Sequence, residues 1–171
     1  MRRSFCALTA ALALGLATAV AHSDEVDDAA TLLRKGAASE ALVQIDKFLA
    51  TKPKDPRGRF MKGVILAEQQ KTDDAIAVFR ALNVDMPELP EPYNNLAVLY
   101  AAKGDYDNAR RVLEMAIIAH PGYALAHENL GDVYARMAAQ SYERAGKLDP
   151  KSPTALEKSK TIDKLLAPAR K

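Results

Sequence analysis

The sequence repeats with a period of about 34 residues, and this period constrains the fold more than any other feature of the chain. Five columns of similar residues follow it in one register: Ala41, Ala75 and Ala109; Ile45, Phe79 and Leu113; Pro53, Pro87 and Pro121; Ala29, Gly63, Ala97 and Gly131; and Leu32, Leu66, Tyr100 and Tyr134. A repeat of this length is one supersecondary unit, which buries its apolar face only by stacking on its neighbours. The chain is therefore predicted to form a stack of similar units.

The columns have the chemistry that pairs of packed helices require. Small residues let two helices approach closely, and large apolar residues three or four positions away fill the remaining space. The prolines close each unit because proline cannot continue a helix, and Gly36 and Gly104 are expected at the turns between paired helices. The predicted packing residues are Gly63, Ala75, Phe79, Ala97, Tyr100, Ala109, Leu113, Gly131 and Tyr134.

One unit carries a pattern that is specific for a known family. Tyr93-x2-Leu96-Ala97-x2-Tyr100, followed by Ala109-x3-Leu113 and Pro121, resembles the tetratricopeptide repeat, with Tyr93 in the position that is usually Trp. The resemblance implies an all-α, right-handed α-solenoid of helical hairpins. It places units at about 22–55, 56–89, 90–123 and 124–151, the fourth of them shortened, and a C-terminal capping helix and tail at 152–171.

The repeat predicts six helices in the first three units, near 24–35, 38–51, 57–70, 73–84, 91–103 and 105–118. Asp55 followed by Pro56 predicts an N-cap with proline at the first helical position. Thr72 or Asp73 is expected to cap the fourth helix.

The fourth unit is shortened by five residues, because Pro150 follows Pro121 more closely than Pro121 follows Pro87. After Tyr134 its columns continue as Ala138, Tyr142, Ala145 and Pro150, so the missing residues are those of the turn. No Gly or Pro lies between Gly131 and Gly146, which favours one projecting helix over 124–147. The alternative is a very tight turn near 136–139.

The last segment begins with Ser152 and Pro153, a helix N-cap followed by a first-turn proline. Leu156, Ile162, Leu165 and Leu166 then form an apolar helical stripe. This helix is expected to cap the solenoid, which needs an end unit with a polar outer face. Docking of the same stripe to a partner is the alternative.

The first 21 residues have the features of a cleaved export signal. Arg2 and Arg3 precede an apolar run from Phe5 to Val20, which ends in Ala19-Val20-Ala21, the small-x-small pattern of a signal-peptidase site. The predicted cleavage residues are Ala19 and Ala21, and the predicted location is periplasmic in a double-membraned bacterium, or secreted otherwise. No stable membrane insertion is expected after cleavage; an uncleaved anchor is the alternative, and both the general secretory and the twin-arginine routes remain open.

Cleavage changes the chemistry of the chain. It removes Cys6, the single cysteine, so the mature chain has no disulfide or thiolate site. It also removes Arg2 and Arg3, which reduces the 24 basic side chains to 22 and balances the 22 acidic ones. A neutral surface gives no long-range attraction to nucleic acid, and no nucleic-acid partner is expected.

The sequence contains no pattern typical of a catalytic, cofactor or metal site. His120 and His127 lack the i, i+4 spacing of a helical metal pair. His127 occupies the position of Tyr93 one unit later, which predicts a buried packing histidine. Adjacent acids such as Asp73 and Asp74 lie at helix starts, where negative charge favours the helix dipole. An enzyme or metal carrier is accordingly disfavoured.

The family resemblance implies that a concave groove, lined by the first helix of each hairpin, binds peptides. Its candidate residues are Phe60, Met61, Val64, Asn94, Asn95, Val98, Leu125, Asn129, Asp132 and Arg136. Asn95 and Asn129 are expected to hydrogen-bond an extended backbone. The family's clamp for an acidic C-terminus needs basic residues where this chain has Phe60, Leu125 and Asn129, so that clamp is not predicted.

Together these features predict an exported adaptor or scaffold that binds a protein or peptide in a cell-envelope assembly. The alternative is a self-assembling subunit, a homo-oligomer that uses the 124–147 helix and the C-terminal helix.

Overall fold

A computed structural model describes residues 25–151 and 153–167, and within these ranges the chain forms eight α-helices and no strand. The helices are α1 Glu25–Arg34, α2 Ala38–Thr51, α3 Pro56–Glu68, α4 Thr72–Asp85, α5 Pro90–Ala102, α6 Tyr106–Ala119, α7 Ala124–Leu148 and α8 Pro153–Leu165. The all-α prediction is confirmed, and the ends of the first seven helices differ from the predicted ones by at most two residues. The export signal with Ala19 and Ala21, and the Ser152 cap, lie outside the described residues.

The helices stack in chain order. Each helix packs against the next, and α1, α3, α5 and α7 also contact one another in sequence, which is the arrangement of a solenoid of hairpins. The core has two clusters, a smaller one around Ile45 and Phe48 and a larger one around Phe79 and Leu113. Within the described residues, no helix is both long and apolar enough to cross a bilayer.

Helices α3 and α4 approach each other closely in the larger cluster. Phe79 is fully buried, and a Cβ added to Gly63 would lie 2.6 Å from its ring. Phe60 packs on the same ring, with centroids 5.7 Å apart. The other small packing residues, Ala75, Ala97 and Ala109, are buried with Leu113. Small residues at these positions therefore set the distance between the helices of each pair.

The turns within hairpins also follow the period. Gly36 and Gly104 have φ angles of 77° and 75°, and Gln70, which lies one period from each, has a φ of 59°. All three residues therefore adopt the left-handed conformation, which only glycine adopts without steric strain.

Gln70→Gly is expected to stabilise the protein by up to about 1 kcal/mol, because it removes the Cβ strain of the left-handed conformation. Urea unfolding followed by circular dichroism measures the change. Gln69→Gly is the matched control and should destabilise, since Gln69 has a φ of −74° and its Nε2 donates to the carbonyl oxygen of Ala38 at 3.0 Å. Equal effects of the two substitutions would contradict the assignment of strain to Gln70.

The helix caps differ in part from the expected ones. Asp55 caps α3 as predicted, and its Oδ1 accepts a hydrogen bond from the backbone N–H of Gly58 at 2.8 Å. The prediction for α4 is wrong, because the N-cap is Lys71 and Thr72 and Asp73 lie inside the first turn. Lys71 lies one period before Asp105, whose side chain does cap α6. The repeat period therefore fixes the position of the N-cap, but the Lys71 side chain has no oxygen atom that could accept a hydrogen bond from the helix.

The long helix α7 is confirmed, and the alternative of a tight turn near 136–139 is wrong. It has 25 residues and so extends for about 37 Å. Helix α8 folds back on its second half: Leu156 lies on Gly146, the Nζ atom of Lys158 is 5.3 Å from the ring centroid of Tyr142, and Asp163 pairs with Arg136. Helix α8 thus packs on α7, as expected of an end cap, although Leu156 and Leu165 of its apolar stripe are 41% and 76% exposed.

Candidate functional site

A depression of about 320 Å³ lies between α5 and α7, in line with the stacked first helices of the hairpins. It brings together four of the predicted groove residues. These are Val98, Asn129, Asp132 and Arg136. Its remaining lining comes from Ala97, Ala101, Tyr106, Leu113 and Val133. The first half of α7 therefore forms one wall of this depression and α5 forms the other.

An asparagine pair joins the two walls. The Nδ2 atom of Asn129 donates a hydrogen bond to Oδ1 of Asn94 at 2.7 Å, and Asn94 is only 5% exposed. The Oδ1 atom of Asn129 makes no hydrogen bond among the described residues, so it remains an acceptor for a ligand N–H. Asn95 instead donates from Nδ2 to the carbonyl oxygen of Glu91 in its own helix, at 2.9 Å. Of the two asparagines expected to bind a peptide backbone, only Asn129 lies at the depression.

The edge of the depression is acidic. Nη1 of Arg136 is 3.0 Å from Oδ1 of Asp163, so α8 neutralises the one cation of the lining. Asp132 and, one turn earlier, Glu128 are exposed and have no ionic partner among the described residues. Burial raises the pKa of the nearby Tyr123 phenol, and the negative charge of Glu91 adds to this effect.

The apolar groove residues fall into two groups. Val98 and Leu125 are 51% and 46% exposed, so their side chains are open to contact with a ligand. Phe60, Met61 and Val64 lie on α3, away from the depression, and are half-buried against the two core clusters. Side chains held in this way contribute mainly to helix packing.

Two features of the surface were not expected from the sequence. Ala101 and Tyr106 line the depression although neither was among the predicted groove residues; their adjacency depends on the angle between α5 and α6, for which the sequence has no direct signal. A larger open depression, of about 820 Å³, lies between α1 and α2 and includes the exposed Val43. It contains none of the predicted groove residues.

The histidine prediction is wrong. His127 is exposed, and its Nε2 atom lies 2.9 Å from the carbonyl oxygen of Pro121. In the third unit Tyr93 is buried, and its hydroxyl donates to the carbonyl oxygen of Asn83 on α4 at 3.4 Å, whereas α7 continues straight and none of the described helices folds back over His127. Within residues 25–151 and 153–167, no group of three or more His, Cys, Asp or Glu side chains is placed to hold a metal ion.

The fold and the groove define a class of helical repeat protein that presents an extended surface for contact. Two family models described as tetratricopeptide repeat match residues 66–132 and 31–84, so together they cover residues 31–132. The chain belongs to the tetratricopeptide repeat family.

Several known proteins contain a region similar to this chain. The human protein O-mannosyl-transferase TMTC1 is 36% identical over 95 residues, which are 53% of this chain and 11% of that protein. The chain thus spans only about a tenth of the length of this relative. The structure of YrrB, described as a TPR protein with an unusual peptide-binding site, is similar with a TM-score of 0.57 at 25% identity, over 61% of this chain and 54% of that one. MamA is similar with a TM-score of 0.61 at 23% identity, over 82% and 84% of the two chains.

Proposed function

We propose that this protein is a non-catalytic scaffold that binds an extended peptide segment in the groove between α5 and α7. The observation that carries the proposal is the exposed Val98 beside Asn129, whose Oδ1 acceptor is free among the described residues. An extended peptide offers apolar side chains and backbone N–H groups, which Val98 and the Asn129 Oδ1 atom can respectively contact and accept. The description of YrrB as a TPR protein with a peptide-binding site, and the use of concave surfaces by solenoids, support the same function.

The proposed setting is a protein assembly of the cell envelope, with the protein in the periplasm or, alternatively, secreted. The support is the apolar run that ends in Ala19-Val20-Ala21. Fractionation followed by N-terminal sequencing tests this setting. A mature chain that begins at His22 in the periplasmic fraction is the expected result, and an intact Met1 in the membrane fraction would replace the proposal with an anchor.

The groove is tested by cross-linking capture from envelope extract, with Val98→Gln and Asn129→Ala compared with the wild-type chain. Each substitution is expected to weaken capture of the same partner about tenfold, since the central contacts of an interface carry most of its binding energy. Val84→Gln is the matched control, because Val84 is 80% exposed on α4 and away from the groove. Circular dichroism verifies that each variant is folded. Equal capture by folded Val98→Gln and by wild type would exclude this groove as the site.

A further inference from the structure

One face of α7 is uncovered in the part of the chain that the structure describes. In the third unit, α6 packs against α5, and Tyr93 and Ala97 are 7% and 1% exposed. The corresponding residues one period later are His127 and Gly131, and both are exposed. Tyr134, which corresponds to the half-buried Tyr100, is 49% exposed. The fourth unit therefore has the packing face of a first helix without a second helix on it.

Gly131 marks the centre of this uncovered face. At Gly63, two periods earlier, an added Cβ would lie 2.6 Å from the ring of Phe79 in the second helix of the hairpin. At Gly131 no atom of the described residues lies within 4 Å of an added Cβ. The backbone thus has the same notch for a large side chain, and in this structure the notch is open.

The side chain that corresponds to Phe79 is present in the chain but displaced. After the five-residue deletion, Ala138 and Tyr142 take the places of Ala75 and Phe79, and both lie on α7 itself. Tyr142 follows Gly131 by about three full helical turns, so the two residues point to nearly the same side of α7. They are also about 16 Å apart along the helix, so Tyr142 cannot reach Gly131 of its own chain.

We propose that a second copy of this chain fills the notch. The two α7 helices pair antiparallel about a two-fold axis, so that Tyr142 of each copy packs on Gly131 of the other. In the same register Ala135 faces Ala138 of the second copy, and these small residues permit a close approach of the helices at the centre. The contact is self-complementary, as the interface of a two-fold dimer must be.

The charges beside the stripe are complementary in this register. Glu128 and Asp132 flank Gly131 on the first half of α7 and have no ionic partner among the described residues. Lys158 of α8 lies over Tyr142 on the second half, with its Nζ atom 5.3 Å from the ring centroid. When Tyr142 of one copy reaches Gly131 of the other, the Lys158 ammonium comes level with the two carboxylates, where opposite charges favour this pairing over other registers.

The register brings the central part of both α7 helices together. Residues 131–142 of α7 extend for roughly 16 Å and face the same stretch of the second copy. Leu165, which is 76% exposed near the Arg136 end of α8, adds apolar surface on the side where the two α8 helices come together.

Disulfide trapping tests the register directly. In a Cys6→Ser background, the double variant Gly131→Cys with Tyr142→Cys should form a covalent dimer under mild oxidation. Each single variant should not, because in this register identical positions of the two copies are about 16 Å apart, well beyond disulfide range. An intrachain bond is excluded by the same distance. If the double variant forms no more dimer than the single variants, the register is overturned.

The wild-type protein gives an independent measurement. Sedimentation equilibrium should detect a dimer that dissociates on dilution, and Gly131→Arg should shift it to monomer without loss of helicity, since an added Cβ at this position meets no atom of the described residues within 4 Å. Val84→Arg, on the exposed side of α4, should leave the dimer unchanged. A wild-type chain that stays monomeric at high concentration, or a Gly131→Arg variant that still dimerises, would overturn the proposal.

Discussion

Phe79→Ala is expected to lower the free energy of unfolding by about 3–5 kcal/mol, the range for removal of a buried phenylalanine ring. The ring is fully buried between Gly63 and Phe60 in the larger core cluster. The loss is at the upper end because the cavity has little means of closing: Gly63 has no side chain that might move into it. Since domains are stable by about 5–15 kcal/mol in total, this single change removes a large part of the stability.

Urea unfolding followed by circular dichroism measures this loss. Val84→Ala is the matched control, because Val84 is on the same helix, is 80% exposed, and should change stability by less than about 0.5 kcal/mol. The slope of the unfolding free energy against urea concentration should also be compared between the variants and the wild type. A change in this slope would show that the solenoid unfolds unit by unit instead of in one step. Similar losses for the two variants would mean that α3 and α4 do not pack tightly around Phe79.

Most of the fold is predictable from the sequence, because its determinants are local and recur. The Gly63 and Phe79 columns predict a close contact between the helices of a hairpin, and the structure has that contact. The long α7 helix is predictable because the fourth unit lacks the five residues that would form the turn between its two helices. The remaining segment between Gly131 and Gly146 contains no Gly or Pro that would end a helix. These features require only helical periodicity and residue size.

The remaining features depend on contacts between residues distant in sequence. The hydrogen bond between Asn94 and Asn129 joins side chains of two different repeat units, and residue type alone does not distinguish an asparagine that binds a ligand from one that binds another asparagine. The pairing of Arg136 with Asp163 exists only because α8 folds back along α7. His127 has the sequence context of a buried residue, but burial is supplied by another helix, and none of the described helices covers it.

Gly63→Ala and Gly131→Ala are expected to change stability in opposite directions although the two glycines belong to one column. A Cβ at Gly63 would lie 2.6 Å from the Phe79 ring, so overpacking of about 1–3 kcal/mol exceeds the helix-propensity gain of about 1 kcal/mol. The net expectation is a loss of up to about 2 kcal/mol. At Gly131 the Cβ meets nothing within 4 Å, and the substitution should stabilise the helix by about 0.5–1 kcal/mol.

Thermal and urea unfolding of both variants, at a protein concentration low enough to keep the chain monomeric, measures whether each substitution raises or lowers the free energy of unfolding. The comparison is controlled internally, because the same chemical change is made at equivalent positions of two first helices. The physical difference between the sites is the second helix, which is present over Gly63 and absent over Gly131 among the described residues. If Gly131→Ala were instead destabilising, an atom would have to lie against Gly131 in the monomer, and the open notch on α7 would not exist.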